Sequence, residues 1–336
     1  MQFFSNTHID FLGKRKFFYI VSLVITVAGI AAALVRGVQF GIDFEGGVEA
    51  EFRFPTLVES SSVRSAVESA GFIGAEIKAG GETDYIIRVK NSGEQQTGNV
   101  GEVTKKLEEA LAAGFPDMNI ERRSINSVGP KIGGELRTDA LIAVILSVIA
   151  IMIYITFRFE WVYGLGAIIA LLHDVLVAFA FAVICNGLFG LNLEMNQGML
   201  AAFLTVVGFS INDTVIIFDR IRENKGIHKA ENLMMLMNRS INEVLPRTIN
   251  TSLTVVLVLF VLLVFSGSVL QGFAFTMMIG IITGTYSSIY IASSFVVDSM
   301  IRQGKLDPNA EGDFKQHVLE ARQSRQSSRV SARAGA

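Results

Sequence analysis

Hydrophobic residues fall into six long runs that are separated by polar segments. A helix needs roughly 20 residues to cross the apolar core of a membrane, which is about 30 Å thick. In chain order, the runs lie at 17–36, 139–157, 162–184, 198–218, 248–266 and 270–297. This pattern predicts an α-helical membrane protein with six transmembrane helices, the first at 17–36 and the other five within 139–303.

The first run also resembles a signal peptide, because Lys14, Arg15 and Lys16 precede it and three alanines at 31–33 provide small residues near its end. A cleaved signal has an apolar stretch of about 7–15 residues, which is shorter than this run. We therefore interpret the run as an anchor that is not removed.

Basic residues are distributed unevenly between the ends of the runs. The segments 185–197 and 266–270 contain no Lys or Arg, whereas basic residues flank the opposite ends. Loops rich in Lys and Arg stay in the cytoplasm. We expect a cytoplasmic N-terminus at 1–16 and a disordered cytoplasmic tail at 304–336, and the segment 37–138 on the outside.

The segment 37–138 has the pattern of a soluble α+β domain. Apolar and polar residues alternate near 48–54, as they do in a half-buried strand. Strands are also predicted near 75–79, 85–90 and 118–128, and helices near 57–70 and 100–113. The order β-α-β-β-α-β is that of a ferredoxin-like, split βαβ domain.

An amphipathic segment is predicted on the cytoplasmic side, near 226–246. Leu233, Met237, Ile241 and Leu245 recur at four-residue spacing and form one apolar stripe on a helix. We expect this helix to lie along the inner surface of the membrane.

Composition supports a membrane location and excludes several kinds of chemistry. The sequence is 51% hydrophobic and 18% charged, whereas soluble domains have about 25% charged residues. Cys185 is the single cysteine, so no disulfide forms within the chain. The sequence has neither the His/Cys spacing of a metal site nor a glycine-rich nucleotide loop. We therefore expect no cofactor, no metal and no hydrolytic enzyme activity.

Asp213 is the strongest candidate for chemistry, because an acid inside an apolar run costs about 2.5–3.5 kcal/mol at a helix centre. Removal from water disfavours the ionised form of a carboxylate, and a nearby cation restores it. A change between two such surroundings would bind and release a proton; alternatively, Asp213 caps a polar interface between helices. Arg247 is the candidate cation, or else an ordinary anchor at the inner boundary.

Two other groups of polar or small residues lie inside runs. His173 and Asp174, in the third run, are interpreted either as a relay with Asp213 or as a polar pair that packs against another helix. Gly280 and Gly284, in the last run, form a small-xxx-small pair that lets helices approach closely. The hydroxyls near them, including Thr285 and Ser288, either line a hydrated path or only pack.

Several motifs occur in the order found in the SecF family of bacterial protein-export membrane proteins, and the chain resembles that family over nearly its whole length. The motifs are Gly41–Gly47, Val128–Lys131, Leu172–Asp174, Val207–Asn224, Arg239–Asn242 with Arg247–Thr248, and Gly284–Ala292. None is decisive alone, but together they are specific.

The resemblance implies half of a resistance-nodulation-division (RND) transporter in the bacterial inner membrane. It implies SecD as the second half, the SecYEG channel and, in many bacteria, YajC as further partners, and an unfolded preprotein as cargo. Members of the family are thought to use the proton gradient in late stages of translocation, after SecA has pushed the cargo. By position, Asp213 and Arg247 match the family's proton path, and Asp43, Gly46 and Gly47 lie in its signature at the base of the outer domain.

Two other functions remain open at this point. One is half of an RND exporter of small solutes, which would need a substrate cleft in a large outer domain. The other is a structural scaffold of the translocase that carries no proton.

Overall fold

The computed structural model describes residues 7–81, 83–89, 100–228, 232–266 and 268–306. Most of the predicted disordered tail, 307–336, lies outside the described residues. The elements, in chain order, are α1 (Arg15–Arg36), α2 (Ile42–Glu45), β1 (Gly47–Arg53), α3 (Ser60–Ser69), β2 (Glu76–Ala79), β3 (Asp84–Val89), α4 (Val100–Gly114), β4 (Glu121–Val128), α5 (Pro130–Arg158), α6 (Trp161–Cys185), α7 (Gln197–Ile227), α8 (Leu233–Phe265), α9 (Ser268–Ser287) and α10 (Ser294–Arg302).

Six helical stretches of the described chain are long and apolar enough to cross a membrane, which confirms the predicted fold class. They are Leu12–Arg36, Gly133–Arg158, Trp161–Cys185, Gln197–Ile227, Leu233–Phe265 and Leu270–Arg302. The last stretch joins α9 and α10 through a π-helical segment, Ser288–Ser293. We call these six stretches the helical bundle.

The described residues within 42–128 form a separate sheet domain between the first two helices of the bundle. Its four strands have the order β2-β3-β1-β4, and each neighbouring pair is antiparallel. This is the predicted β-α-β-β-α-β arrangement. The helix predicted from residue 57 begins later, at Ser60, because Glu59 occupies the N-cap position in an extended conformation.

The core of the sheet domain is built from large apolar side chains. Phe52, Phe54 and Tyr85 are almost completely buried, and Leu107 and Leu111 of α4 pack against them. Burying such side chains removes apolar surface from water, which is the main favourable term in folding a soluble domain.

The apolar stripe near 226–246 packs against the rest of the bundle. Its residues belong to α8, which runs without a break through Pro246. Met237 and Ile241 are completely buried, in one cluster with Phe218 and Ile221 of α7. The stripe therefore covers protein rather than lipid. The expectation that the stripe faces the membrane was wrong, because an apolar stripe alone does not show whether it packs against lipid or against protein.

Candidate functional site

Asp174 lies at the centre of a polar site inside the helical bundle. Its side chain is completely buried. Ser210 of α7 donates a hydrogen bond of 2.5 Å to Oδ2, and Ser287 at the end of α9 donates one of 2.7 Å to the same oxygen. The Oδ1 atom lies 2.9 Å from Nδ1 of His173. Three helices thus converge on one carboxyl group.

The polar contacts continue from His173 towards the first helix. The Tyr286 hydroxyl lies 3.0 Å from Nε2 of His173, and Ser22 Oγ lies 3.2 Å from that hydroxyl. Hydroxyl and imidazole groups both donate and accept protons, so this row links Ser22 of α1 to Asp174 through hydrogen bonds. The role of Ser22 was missed in the sequence, where it was one serine in an otherwise apolar run.

Asp213 lies one turn of α7 beyond Ser210 and has different surroundings. Its side chain is 7% exposed, and no described residue donates a hydrogen bond to it. Arg247, on α8, lies close enough for its charge to act on the Asp213 carboxylate, as does Asp174. The Arg247 side chain is exposed. Asp213 is therefore near a cation without being fixed by a direct contact.

Small residues of α9 allow the helices to come together around this site. A Cβ atom at Gly284 would lie 3.3 Å from Cβ of Ser210 and 3.6 Å from Oδ2 of Asp174. A Cβ atom at Gly280 would overlap the side chain of Val206, one turn earlier on both helices. These glycines therefore allow α9 to lie close to α7 beside the polar site.

The two predicted hydroxyl residues lie in the same part of the last helix. Thr285 donates a hydrogen bond of 2.7 Å to Ser252 of α8. Ser288 is buried and donates to the carbonyl of Thr285 at 3.1 Å. Ser288 also begins the π-helical segment, a kind of irregularity that is frequent at functional sites.

Asp43, Gly46 and Gly47 lie at the other end of the bundle, where the sheet domain begins. Asp43 Oδ2 accepts a hydrogen bond of 2.8 Å from the backbone N–H of Gln197, the first residue of α7. It therefore satisfies one of the free N–H groups of that helix. Gly46 and Gly47 have φ angles of 76° and 141°, which favour glycine because a side chain would be strained there.

The described parts of the chain contain no group of three or more His, Cys, Asp or Glu side chains that could hold a metal ion. The polar site itself holds carboxyl, imidazole and hydroxyl groups, with the guanidinium group of Arg247 near Asp213. Such groups move protons and form hydrogen bonds.

Two family models match the chain. Residues 107–302 match "Protein export membrane protein SecD/SecF, C-terminal", and residues 31–54 match the "SecD/SecF GG Motif". The second match contains Asp43, Gly46 and Gly47. The first contains every residue of the polar site around Asp174 and Asp213 except Ser22.

Curated relatives and solved structures agree with these matches. The protein translocase subunit SecF of Rhodothermus marinus is 37% identical over 302 residues, which are 90% of this chain and 96% of the relative. SecF of Thermodesulfovibrio yellowstonii is 39% identical over 303 residues, 88% of this chain and 96% of the relative.

The crystal structure of SecDF from Thermus thermophilus, a translocon-associated membrane protein, has a TM-score of 0.76 and 33% identity, and the match covers 88% of this chain and 39% of that chain. A SecDF structure in a super-membrane-facing form has a TM-score of 0.65 and 32% identity. The chain thus spans about two fifths of the length of these solved chains. It belongs to the SecD/SecF family of protein export membrane proteins, among the translocase subunits called SecF.

Proposed function

We propose that this chain, paired with SecD in the bacterial cytoplasmic membrane, uses the proton motive force to promote late stages of preprotein translocation. The pair would act beside the SecYEG channel and with YajC on an unfolded preprotein. The sheet domain would lie outside the cytoplasm and both termini inside it. The chain has no hydrolytic site in this proposal, and its energy comes from protons.

The observation that carries the proposal is a pair of buried carboxyl groups with unequal surroundings. Asp174 is held by Ser210, Ser287 and His173. Asp213 is buried beside the charge of Arg247, and no described residue holds it by a hydrogen bond. A carboxyl group that is not fixed can change partners when helices move, and a change of partner changes its affinity for a proton.

Each member of the site has a distinct part in this proposal. Asp213 takes up and releases the proton, and Arg247 stabilises its ionised form. Asp174 and His173 extend the path into the bundle, since they are joined to each other and, through Tyr286, to α1.

The energy available per proton is enough for a conformational bias. One charge that crosses 100 mV supplies about 2.3 kcal/mol. At 1.4 kcal/mol per tenfold, this shifts an equilibrium between two poses about fifty-fold. It is far too little to unfold a cargo protein in one step, so repeated cycles are needed.

The test replaces Asp213 with asparagine in the complex with SecD, reconstituted in vesicles that carry a proton gradient. Asp213→Asn keeps the shape of the side chain and loses the exchangeable proton, so gradient-dependent release of cargo should fall at least about tenfold. Release is measured with and without the gradient.

The matched control is Asp219→Asn, which removes a 41% exposed carboxylate from the same helix, where it pairs with Arg158 at 2.8 Å. This control should release cargo normally. Normal release by Asp213→Asn would exclude the proton role and favour the scaffold function, which predicts that Asp174→Asn is also silent.

A further inference from the structure

The sheet domain is attached to the helical bundle at one junction. The segment that follows α1 pairs there with the segment that precedes α7. Gly41 donates its backbone N–H to the carbonyl of Met195 at 2.8 Å, and Met195 donates to the carbonyl of Gln39 at 2.9 Å. The bond from the Gln197 N–H to Asp43 lies two residues further along.

A buried cluster of charges lies beside this backbone pairing. Arg88, on β3, and Glu194, three residues before α7, are each 3% exposed. They form a two-pronged ion pair, in which Nη1 of Arg88 lies 3.1 Å from Oε1 and Nη2 contacts Oε2. Lys78 of β2 also contacts Glu194. We call these three residues, with Glu49 and Glu76, the junction cluster.

Arg88 has further partners inside the sheet domain itself. Its Nη2 lies 2.7 Å from Glu49 on β1, and its Nη1 lies 3.2 Å from Glu76 on β2. Arg88 would therefore remain paired even if Glu194 moved away. A buried charge left without any partner is strongly destabilising, and this arrangement avoids that cost in a second pose.

A polar cavity of about 160 Å³ adjoins the junction cluster, lined by Asp43, Arg88, Asn192 and Glu194 among others. Arg88 Nε and Asn192 Oδ1 are buried there without a hydrogen-bond partner among the described residues. A cavity that is roomy and polar accommodates water. The junction is thus less tightly packed than a core, and its side chains have room to rearrange.

Burial also lowers the pKa of Lys78, with the Arg88 charge acting in the same direction.

The junction cluster is connected directly to the polar site of the bundle. Glu194 precedes α7 by three residues, and α7 then runs for 31 residues without a break. Ser210 and Asp213 both lie on this helix. Because a helix is stiff along its axis, a displacement of α7 at Asp213 also displaces Glu194.

We propose that the ion pair between Arg88 and Glu194 couples movement of α7 to the pose of the sheet domain. Both are positioning residues, since neither touches the proton site. An apolar contact of the same size would be about as stable, but it would not offer Arg88 the alternative partners Glu49 and Glu76. The inference rests on the proposed function in one respect, namely that movement of α7 drives the sheet domain. The contact between Arg88 and Glu194 does not depend on that function.

The test measures the pose of the sheet domain and the release of cargo in the same variants. Cys185 is first replaced by serine, and spin labels are placed at Ile73→Cys, 88% exposed on the sheet domain, and Leu188→Cys, 44% exposed between α6 and α7. Glu194→Gln should add a second, longer distance between the labels. It should also lower gradient-dependent release about tenfold, within the usual range of coupling between sites.

Asp84→Asn is the matched control, because it removes a 15% exposed carboxylate from an ion pair inside the sheet domain, with Arg53, and lies outside the junction cluster. It should keep the single parental distance. If Glu194→Gln does not accumulate in the membrane, Lys78→Gln removes the second pair to Glu194 from a side chain that is 32% exposed. Lys78→Gln should add the same second, longer distance between the labels, but in a smaller fraction of the molecules.

The outcomes separate this inference from the proposed function. Parental distances and release in the Glu194→Gln and Lys78→Gln variants would overturn the coupling role. A second label distance in Glu194→Gln together with normal cargo release would show that the ion pair only attaches the sheet domain. That result would also overturn the coupling role. The distances need no gradient, so they stay informative even if Asp213→Asn proves silent.

Discussion

The sheet domain and the last helix of the bundle bury different kinds of side chain. The core of the sheet domain consists of large apolar residues such as Phe52, Phe54 and Tyr85. The last helix of the bundle instead buries a series of hydroxyl groups. The completely or almost completely buried ones are Thr276, Thr283, Ser287, Ser288, Ser293 and Ser294.

The difference follows from the solvent on each side. Leu34, Val35 and Phe265 are more than four-fifths exposed on the bundle, which costs nothing where the surroundings are lipid. Helices in lipid associate through close packing of small residues and through hydrogen bonds, because apolar burial gains little there. The bundle can therefore concentrate polar groups in its interior.

The largest effect is expected from a side chain added where two helices touch. Gly280→Val would force a branched side chain into Val206, so the bundle should fail to assemble. The measurement is the yield of monodisperse protein after extraction from membranes.

Gly208→Val is the control, since no atom lies within 4 Å of a Cβ built there. The double variant Gly280→Val with Val206→Gly should recover part of the yield. Normal assembly of Gly280→Val alone would mean that close packing does not hold this interface together.

The next largest effect is expected in the apolar core of the sheet domain. Phe52→Ala should destabilise that domain by about 3–5 kcal/mol, through lost burial and the cavity that remains. Hydrogen exchange of the β1 and β3 amides in the full chain measures the loss. Leu57→Ala, at a residue 77% exposed, should change exchange little. Equal effects at both positions would argue against an aromatic core.

A smaller effect is expected from one hydroxyl of the polar site. Ser287→Ala removes one of two hydroxyl donors to Asp174 and should cost about 1–3 kcal/mol, because Asp174 is buried. Thermal inactivation and gradient-dependent release should both change. Thr276→Val is the control, because its hydroxyl is buried without a partner among the described residues. If the Ser287→Ala protein is as stable as the control, the hydrogen bond from Ser287 to Asp174 does not contribute to stability.

Much of the fold is predictable because hydropathy and alternation report on single elements. The six hydrophobic runs predicted the helices of the bundle, and the alternation of apolar and polar residues at 48–54 predicted β1. The ends were harder to predict. The fourth run was expected to stop at 218, whereas α7 continues to Ile227. Its polar last turns are stabilised by α8, where Asn224 donates to Ser240 at 2.9 Å and Arg220 to Glu243 at 2.6 Å.

The site was predictable only as separate residues. His173, Asp174 and Asp213 stand out in the sequence because polar groups in apolar runs are costly. The sequence favoured Asp213 as the central group, but the hydrogen bonds converge on Asp174. The pairing of Arg88 with Glu194 joins residues 106 positions apart, and no local pattern can reveal such a contact.

The attachment of the first helix has a consequence for how the protein is made. Arg15 bonds to Asp298 at 2.9 Å, Tyr19 to the same carboxylate at 3.2 Å, and Ser22 to Tyr286. Each partner lies more than 260 residues further along the chain, so the ribosome synthesises it much later. During translation α1 therefore lacks these three bonds until the final helix has been made.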